Sequence, residues 1–341
     1  MKNTIDYIID LAIRLLKTPS PSGYCREIIA LIEKEAVELG YPVAFTKKGN
    51  AIISVEGKES RTLGLSAHVD TLGAMVKSIT SSGNLKFTAI GGPIWPTLDG
   101  EYVTVKTRSN ATYTGTFLST SPSAHVFKDS QTKERSPEQM LIRIDEVVSS
   151  KDDVEKLGIA PGDFVFIDPK TTLTKSGYLK SRFLDDKISV AILFGLLKEI
   201  KEQNLVPLPN LKLIISTYEE VGHGASSIPE VDELIAVDMG CIGDDLSCTE
   251  TMVSICCKDS SGPYDYEVVS KLVELAKKDG LDYATDIYPY YGSDVSSALR
   301  GGNDIKGGLI GPGVHASHGM ERTHIKAVQN TLKLLLAYIM A

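Results

Sequence analysis

The segment LKLIISTYEEVGHGAS, residues 211–226, joins a continuous apolar run to a pair of adjacent acids. A short apolar run bounded by turn residues is typical of a strand that is buried on both faces. Glu219 and Glu220 follow the end of this run, in a stretch that also contains Gly222 and Gly224. The segment therefore predicts a buried strand that delivers two carboxylates to one edge of a sheet.

Helices and further strands alternate on both sides of this segment. Apolar residues at helical spacing predict a helix from Ile5 and another over residues 325–340. Strands are predicted at 62–66 and 234–238, and an apolar helix at 188–200. Such alternation is typical of an α/β fold, in which helices flank a mostly parallel sheet. Functional residues of these folds lie beyond the carboxyl ends of the strands.

The pattern changes between residues 71 and 173. Short alternating segments such as LKFTAI and DFVFID are separated by Gly, Pro, Asn and Ser, as in antiparallel strands joined by turns. This stretch predicts a small β-barrel or sandwich. We expect one α/β domain of residues 1–70 and 174–341, interrupted by a β-rich insertion of residues 71–173.

Composition argues against several classes of protein. The net charge is −8 and basic residues do not cluster, which disfavours binding to nucleic acid or to anionic membranes. The five cysteines form no C-x-x-C pair, which disfavours a disulfide framework or a structural zinc site. Asp6, Asp10 and Arg14 interrupt the N-terminal apolar residues, so no signal peptide or membrane span is expected. The expected location is the cytoplasm.

Residues able to carry out chemistry follow the predicted strand at 62–66 and precede the predicted apolar helix at 188–200. His68 and Asp70 stand in AHVD, where the alternative to a metal ligand is an ordinary hydrogen-bonded histidine beside a turn aspartate. Asp185 and Asp186 stand in LDDK, where the alternative is a helix cap. Neither motif decides alone.

The acids of the opening segment are more informative. Because adjacent residues of an extended chain point in opposite directions, one glutamate of the pair can bind a metal while the other acts as a base. The alternative is a solvated loop that carries two acids. Asp238 ends another predicted strand, and a Gly-rich segment near the C-terminus holds three of the six histidines, namely His315, His318 and His324.

The set as a whole predicts a metal centre. Two imidazoles and several carboxylates at the strand ends of one sheet could hold two divalent cations about 3.5–4 Å apart, with a bridging water. Nitrogen and oxygen ligands suit Zn, and also Co or Mn.

Seven segments together resemble the glutamyl-aminopeptidase family of cytosolic dinuclear metallo-aminopeptidases. They are TPSPSGY (18–24), AHVDTLG (67–73), LDDK (184–187), YEEVGHGAS (218–226), AVDMG (236–240), YGSDVSSAL (291–299) and ASHGMERTH (316–324). The resemblance covers nearly the whole chain. It implies an α/β peptidase domain with a β-rich insertion used for dimerisation, and homo-oligomers built from dimers, with a dodecamer as the largest assembly expected.

The resemblance also implies a set of metal ligands. His68 and Glu220 would bind one ion, Asp238 and His318 would bind the other, and Asp185 would bridge both. His318 is preferred because a glutamate follows it in the family's manner, although His315 is a competitor.

Two further roles follow from the resemblance. Asp70 would orient His68, and Glu219 would be the general base. The Asp185–Asp186 peptide would be cis. The chain departs from the family in having Lys187 where arginine is more frequent, and in its divergent histidine segment.

The expected function is metal-dependent hydrolysis of N-terminal residues from short peptides. The alternatives are a deacylase or carboxypeptidase-like hydrolase on the same metal site, or a non-catalytic relative without metal. The label endoglucanase, also used in the family, is disfavoured because glycoside hydrolysis needs two positioned carboxylates and no metal.

Overall fold

The computed structural model describes residues 2–341, which form two compact units. One unit comprises the chain up to Asp70 together with Lys170–Ala341, and the other comprises Thr71–Pro169. The second boundary differs from the predicted one at residues 173 and 174. It lies earlier because Thr172–Leu173 pairs with the strand Tyr178–Ser181 of the larger unit.

The elements follow in chain order. The helices are α1 (Lys2–Lys17), α2 (Arg26–Glu38), α3 (Lys151–Lys156), α4 (Leu184–Glu202), α5 (Tyr266–Lys278), α6 (Asp294–Arg300) and α7 (Ile325–Ile339). The strands are β1 (Val43–Phe45), β2 (Ala51–Val55), β3 (Thr62–His68), β4 (Gly73–Ile79), β5 (Leu85–Ile90), β6 (Tyr102–Lys106), β7 (Thr112–Ser119), β8 (Met140–Ile144), β9 (Phe164–Ile167), β10 (Thr172–Leu173), β11 (Tyr178–Ser181), β12 (Asn210–Ser216), β13 (Glu233–Val237), β14 (Val253–Asp259), β15 (Gly262–Pro263), β16 (Tyr283–Ile287), β17 (Lys306–Pro312) and β18 (Glu321–His324). Short 3₁₀ turns span Trp95–Thr97 and Glu219–Val221.

The larger unit is built on a nine-stranded sheet. Its strands lie in the order β1-β2-β12-β3-β13-β17-β14-β15, and β16 pairs with β14. The four central strands β12, β3, β13 and β17 run parallel, whereas β1, β2 and β15 add antiparallel pairs at the edges. The predicted α/β fold with a mostly parallel sheet is therefore confirmed. A separate three-stranded sheet has the order β10-β11-β18.

Helix α4 lies in the core of the larger unit. Its side chains are buried around the whole circumference, as expected for an apolar helix that other elements enclose. Helix α1 packs against α4 so closely that a Cβ added at Gly195 would lie 2.3 Å from Cδ1 of Ile8. Full burial of one such aliphatic side chain contributes about 1.5–3 kcal/mol.

The smaller unit is a closed barrel with the strand order β4-β5-β8-β7-β6-β9. Alternate residues of its strands point inward, and Phe87, Trp95 and Phe117 form an aromatic cluster with ring centroids 4.8–6.2 Å apart. Of the two predicted architectures, barrel and sandwich, the structure forms the barrel.

Strand β17 was not predicted from the sequence, because its glycines suggest a loop. In the fold they allow close packing, since a Cβ at Gly307 would lie 2.4 Å from Val295 and one at Gly308 would lie 2.7 Å from Val268. Within residues 2–341, no helix combines the length and apolar character needed to cross a membrane.

Candidate metal centre

Three parallel strands deliver the predicted residues to one edge of the sheet. His68 is the last residue of β3, and Asp238 follows β13 directly. Glu219 and Glu220 lie in the 3₁₀ turn that follows β12. Because these strands are neighbours and parallel, their carboxyl ends meet at the same edge.

The carboxylate of Asp185 lies between two imidazoles. Its Oδ1 is 3.1 Å from Nε2 of His68, and its Oδ2 is 3.6 Å from Nε2 of His318. Asp185 and Asp186 stand at the start of α4 with non-helical backbone angles, and their peptide bond is cis, as the resemblance implies. One carboxylate facing two histidines has the arrangement expected of a bridging ligand.

The remaining predicted ligands lie close to this carboxylate. Ligand atoms of His68, Asp185 and Glu220 lie within 4.8 Å of one another, and so do those of His68, Asp186 and Asp238. These clusters bring the predicted strand-end residues together, and they add Asp186.

His318 also lies near Glu220, with 3.5 Å between Nε2 and Oε2. The distances therefore place His318 beside Glu220, whereas His68 lies close to Glu220 in one cluster and to Asp238 in the other. The resemblance implies the pairing of His68 with Glu220 and of Asp238 with His318.

The other two histidines of the C-terminal segment make different contacts. The backbone of His315 pairs with that of Arg322, and the residue is exposed. His324 caps α7 and its ring contacts Tyr178.

Asp70 contacts both the imidazole of His68 and the 3₁₀ turn. Nδ1 of His68 lies 3.0 Å from the backbone oxygen of Asp70 and 3.6 Å from its carboxylate. The carboxylate also accepts hydrogen bonds from the backbone N–H groups of Glu219 and Glu220, at 3.1 and 3.2 Å, and from the hydroxyl of Ser22. Asp70 is thus placed to orient the imidazole, and its side chain also ties the 3₁₀ turn to β3.

Glu321 is a further site residue that the sequence marked only as a family feature. It is buried, and its two oxygens accept hydrogen bonds from the backbone N–H groups of Asp185 and His318, at 3.1 and 3.0 Å. The contact with Asp185 could not be predicted from the sequence, since this partner is a backbone group 136 residues away.

Electrostatics favour a cation at this site. Burial raises the pKa of Glu219 and Glu220 well above the ordinary range, and that of Asp238 to about 7, with repulsion between the carboxylates adding to the effect. Burial opposes the charge of His68, but hydrogen bonds to Asp185 and Asp70 raise the pKa of this imidazole. Divalent ions would relieve the repulsion between these acids.

The donor set fits divalent metal ions. Each ligand atom is an imidazole nitrogen or a carboxylate oxygen, as Zn, Co and Mn accept. Oδ1 of Asp186 is buried and has no hydrogen-bond partner among residues 2–341.

A cavity of about 230 Å³ opens beside these residues. Its lining includes the carboxylates of the metal centre and His318, and a second group of residues from the segment 290–300. The latter are Tyr290, Tyr291, Gly292, Ser293, Ser297 and Arg300.

The chain is similar in sequence to known proteins. The family described as M42 glutamyl aminopeptidase matches residues 49–334. The protein named "Putative aminopeptidase YhfE" from Bacillus subtilis (strain 168) is 47% identical over 334 residues, which cover 97% of this chain and 96% of that protein.

Two solved structures share the fold. The TET aminopeptidase from the marine sediment archaeon Thaumarchaeota archaeon SCGC AB-539-E09 superposes with a TM-score of 0.88 at 19% identity, covering 98% of this chain and 96% of the other. The Pyrococcus horikoshii TET1 peptidase, described as assembling into a tetrahedron or a large octahedral shell, superposes with a TM-score of 0.85 at 23% identity, covering 97% and 99%. On the family match and the 47% identical relative, this chain belongs to the M42 glutamyl aminopeptidase family.

Proposed function

We propose that the protein is a dinuclear metal-dependent aminopeptidase that removes N-terminal residues from short peptides. The observation that carries this proposal is the carboxylate of Asp185, which lies between Nε2 of His68 and Nε2 of His318. Zn is the preferred metal, with Co or Mn as alternatives.

The distances support a revised distribution of the five ligands. His68 and Asp238 would hold one ion, Glu220 and His318 would hold the other, and Asp185 would bridge them. The separation of 3.5 Å between Glu220 and His318 is the reason for this choice.

The ions, when bound, would supply Lewis-acid polarisation of the scissile carbonyl and a lowered pKa for the attacking water. Glu219 is the proposed base. Glu219 lines the cavity, and its backbone N–H donates a hydrogen bond to the carboxylate of Asp70. It would take a proton from the water and then donate this proton to the leaving amine, which needs a group that can exist in both protonation states.

The proposal also covers the oligomeric state and the cellular location of the protein. The TET1 peptidase with which the fold superposes forms large closed particles, and we propose that this chain also forms a homo-oligomer built from dimers. Dimerisation through the barrel, and location in the cytoplasm, stay predictions.

The test is a Glu219→Gln variant. The amide keeps the shape of the side chain but cannot accept the proton, so we expect two metal ions per chain and turnover reduced about 100-fold or more. Elemental analysis and hydrolysis of aminoacyl anilides measure the two quantities.

A matched Glu230→Gln variant, at an exposed position of the same unit, should keep full activity. Wild-type protein should lose activity with a chelator and regain it with Zn, Co or Mn. Undiminished turnover in Glu219→Gln would remove the proposed base, and turnover that a chelator leaves unchanged would remove the metal mechanism.

A further inference from the structure

The proposed metal ligands line one part of the cavity, and residues of the segment 290–300 line another part. Helix α6 begins with a capping box between Ser293 and Ser296, and Ser297 donates a hydrogen bond to the backbone oxygen of Gly222. These contacts fix α6 to the loop that carries the proposed base. Arg300 is the last residue of this helix and lines the cavity.

Arg300 is the one arginine or lysine among the residues that line this cavity. Within residues 2–341, no carboxylate lies within 4.0 Å of its guanidinium, whereas Arg14 pairs with Glu35 and Arg322 pairs with Glu250. The four carboxylates of the cavity belong to the proposed metal centre and base. The charge of Arg300 is thus available to a ligand.

The size of the cavity limits what this ligand can be. A volume of about 230 Å³ is below the 300–1,000 Å³ typical of sites for larger ligands, so the cavity holds about the first one or two residues of a peptide. A guanidinium binds a carboxylate through paired, charge-assisted hydrogen bonds.

We propose that Arg300 is a specificity-determining residue that binds a carboxylate of the substrate. This inference rests on the proposed peptidase function. The carboxylate has two possible sources in a short peptide, namely an acidic N-terminal side chain or the C-terminus of a dipeptide. Both present the same chemistry to the guanidinium.

Two matched pairs of substrates separate these sources. The first pair is Glu-p-nitroanilide and Gln-p-nitroanilide, which differ at the N-terminal side chain. The second pair is Leu-Gly and Leu-Gly-amide, which differ at the C-terminus. We would measure kcat/KM for all four with metal-loaded wild type, Arg300→Gln, Arg300→Lys and, as a control for charge loss, Lys278→Gln at an exposed position of α5.

We expect wild type and Lys278→Gln to prefer the charged member of one pair about tenfold, as for a charge-assisted hydrogen bond. Arg300→Gln should reduce that ratio of kcat/KM values to near one. Arg300→Lys should keep part of the preference, because lysine keeps the positive charge but cannot form the paired hydrogen bonds of a guanidinium. Since the readout is a ratio between matched substrates, a general loss of activity in a variant cancels.

The pair that responds identifies the source of the carboxylate. Equal ratios in wild type and Arg300→Gln for both pairs would overturn the role of Arg300 while leaving the peptidase function intact. Absence of turnover of all four substrates by metal-loaded wild type would overturn the peptidase function, and this inference with it.

Discussion

Two buried carboxylates beside the proposed metal ligands accept hydrogen bonds from backbone groups. Asp70 accepts hydrogen bonds from the N–H groups of Glu219 and Glu220, and Glu321 accepts them from those of Asp185 and His318. Asp70 therefore joins the 3₁₀ turn to β3, and Glu321 joins β18 to the start of α4. Partners of this kind set the orientation of metal ligands, and their loss typically costs 10–100-fold in metal affinity.

Glu321 offers the sharper test of this idea at the level of a single residue. A Glu321→Gln change replaces one acceptor oxygen by an NH₂ group, which cannot accept a hydrogen bond from either backbone N–H. We expect metal affinity about 10–100-fold below wild type, measured by competition with a chromophoric chelator.

The matched control is Glu250→Gln, which removes a carboxylate that pairs with Arg322, the residue after Glu321 in β18. This variant should bind metal as wild type does. Wild-type affinity in Glu321→Gln would show that the two hydrogen bonds do not position Asp185 and His318.

Residues that follow strands could be predicted from the sequence, but their hydrogen-bond partners could not. An apolar run that ends in an acid or a histidine marks a strand end, which is how His68, Glu219 and Asp238 were found. Ser22 and Glu321 contact segments far away along the chain, so no local pattern indicates their contacts. The preference for His318 over His315 came from the resemblance, because both stand in the same Gly-rich segment.

Strand β17 shows how one element depends on its neighbour. Gly311 lies beside the backbone of Asp238, and a Cβ added there would lie 1.4 Å from the backbone oxygen of Asp238. The adjacent N–H of Asp238 donates to the backbone oxygen of Ile310 at 2.9 Å. Only glycine permits this approach, and the same contact places Asp238 at the metal centre.

A Gly311→Ala change should therefore separate β17 from β13. Overpacking typically costs about 1–3 kcal/mol and occasionally more, and here the clash is with backbone atoms that cannot rotate away. We expect a lower free energy of unfolding in urea and a loss of bound metal by elemental analysis.

Gly243→Ala is the control for this change, because an added Cβ there meets nothing within 4 Å. Wild-type stability and metal content in Gly311→Ala would show that Asp238 does not depend on the close approach of β17. The same glycines explain why β17 escaped prediction. A strand rich in glycine has weak intrinsic β-propensity, and what stabilises it is packing against α5 and α6, which only the folded chain provides.

Across the whole molecule, the change to short alternating segments after Asp70 predicts a β-rich insertion. The structure forms a compact unit over Thr71–Pro169. Periodicity alone did not fix where that unit ends. The prediction extends the insertion to residue 173, whereas Thr172 and Leu173 pair with β11 of the larger unit.

The stability of the metal-free protein should depend on pH through the metal centre. Burial raises the pKa of Glu219 and Glu220 well above normal, and that of Asp238 to about 7. An acid whose pKa is raised by folding destabilises the folded state increasingly as pH rises from its unfolded pKa, about 4, through its folded pKa. His68, whose pKa is raised by its hydrogen bonds to acids, stabilises the fold at low pH and loses this effect as pH rises.

All four groups therefore act in the same direction and outnumber Lys187, whose pKa burial lowers to about 7 and which therefore acts in the opposite direction. The lowered pKa of Asp185 does not oppose them, because this group is already ionised throughout the range from about pH 6 to about pH 8. We expect chelator-treated protein to have a higher Tm at about pH 6 than at about pH 8, measured by calorimetry. Saturating Zn or Co at about pH 8 should raise the Tm, since a ligand at 1,000 times its Kd stabilises the folded state by about 4.1 kcal/mol.

An Asp238→Asn variant isolates the contribution of one acid to this behaviour. The amide carries no charge at any pH, so the metal-free variant should lose less stability than metal-free wild type between about pH 6 and about pH 8. It should also gain less from added metal, because the variant lacks one carboxylate of the site. A metal-free wild type that is as stable at about pH 8 as at about pH 6 would mean that burial and mutual repulsion do not raise the pKa of these acids, and the physical reason for cations at this edge of the sheet would then be lost.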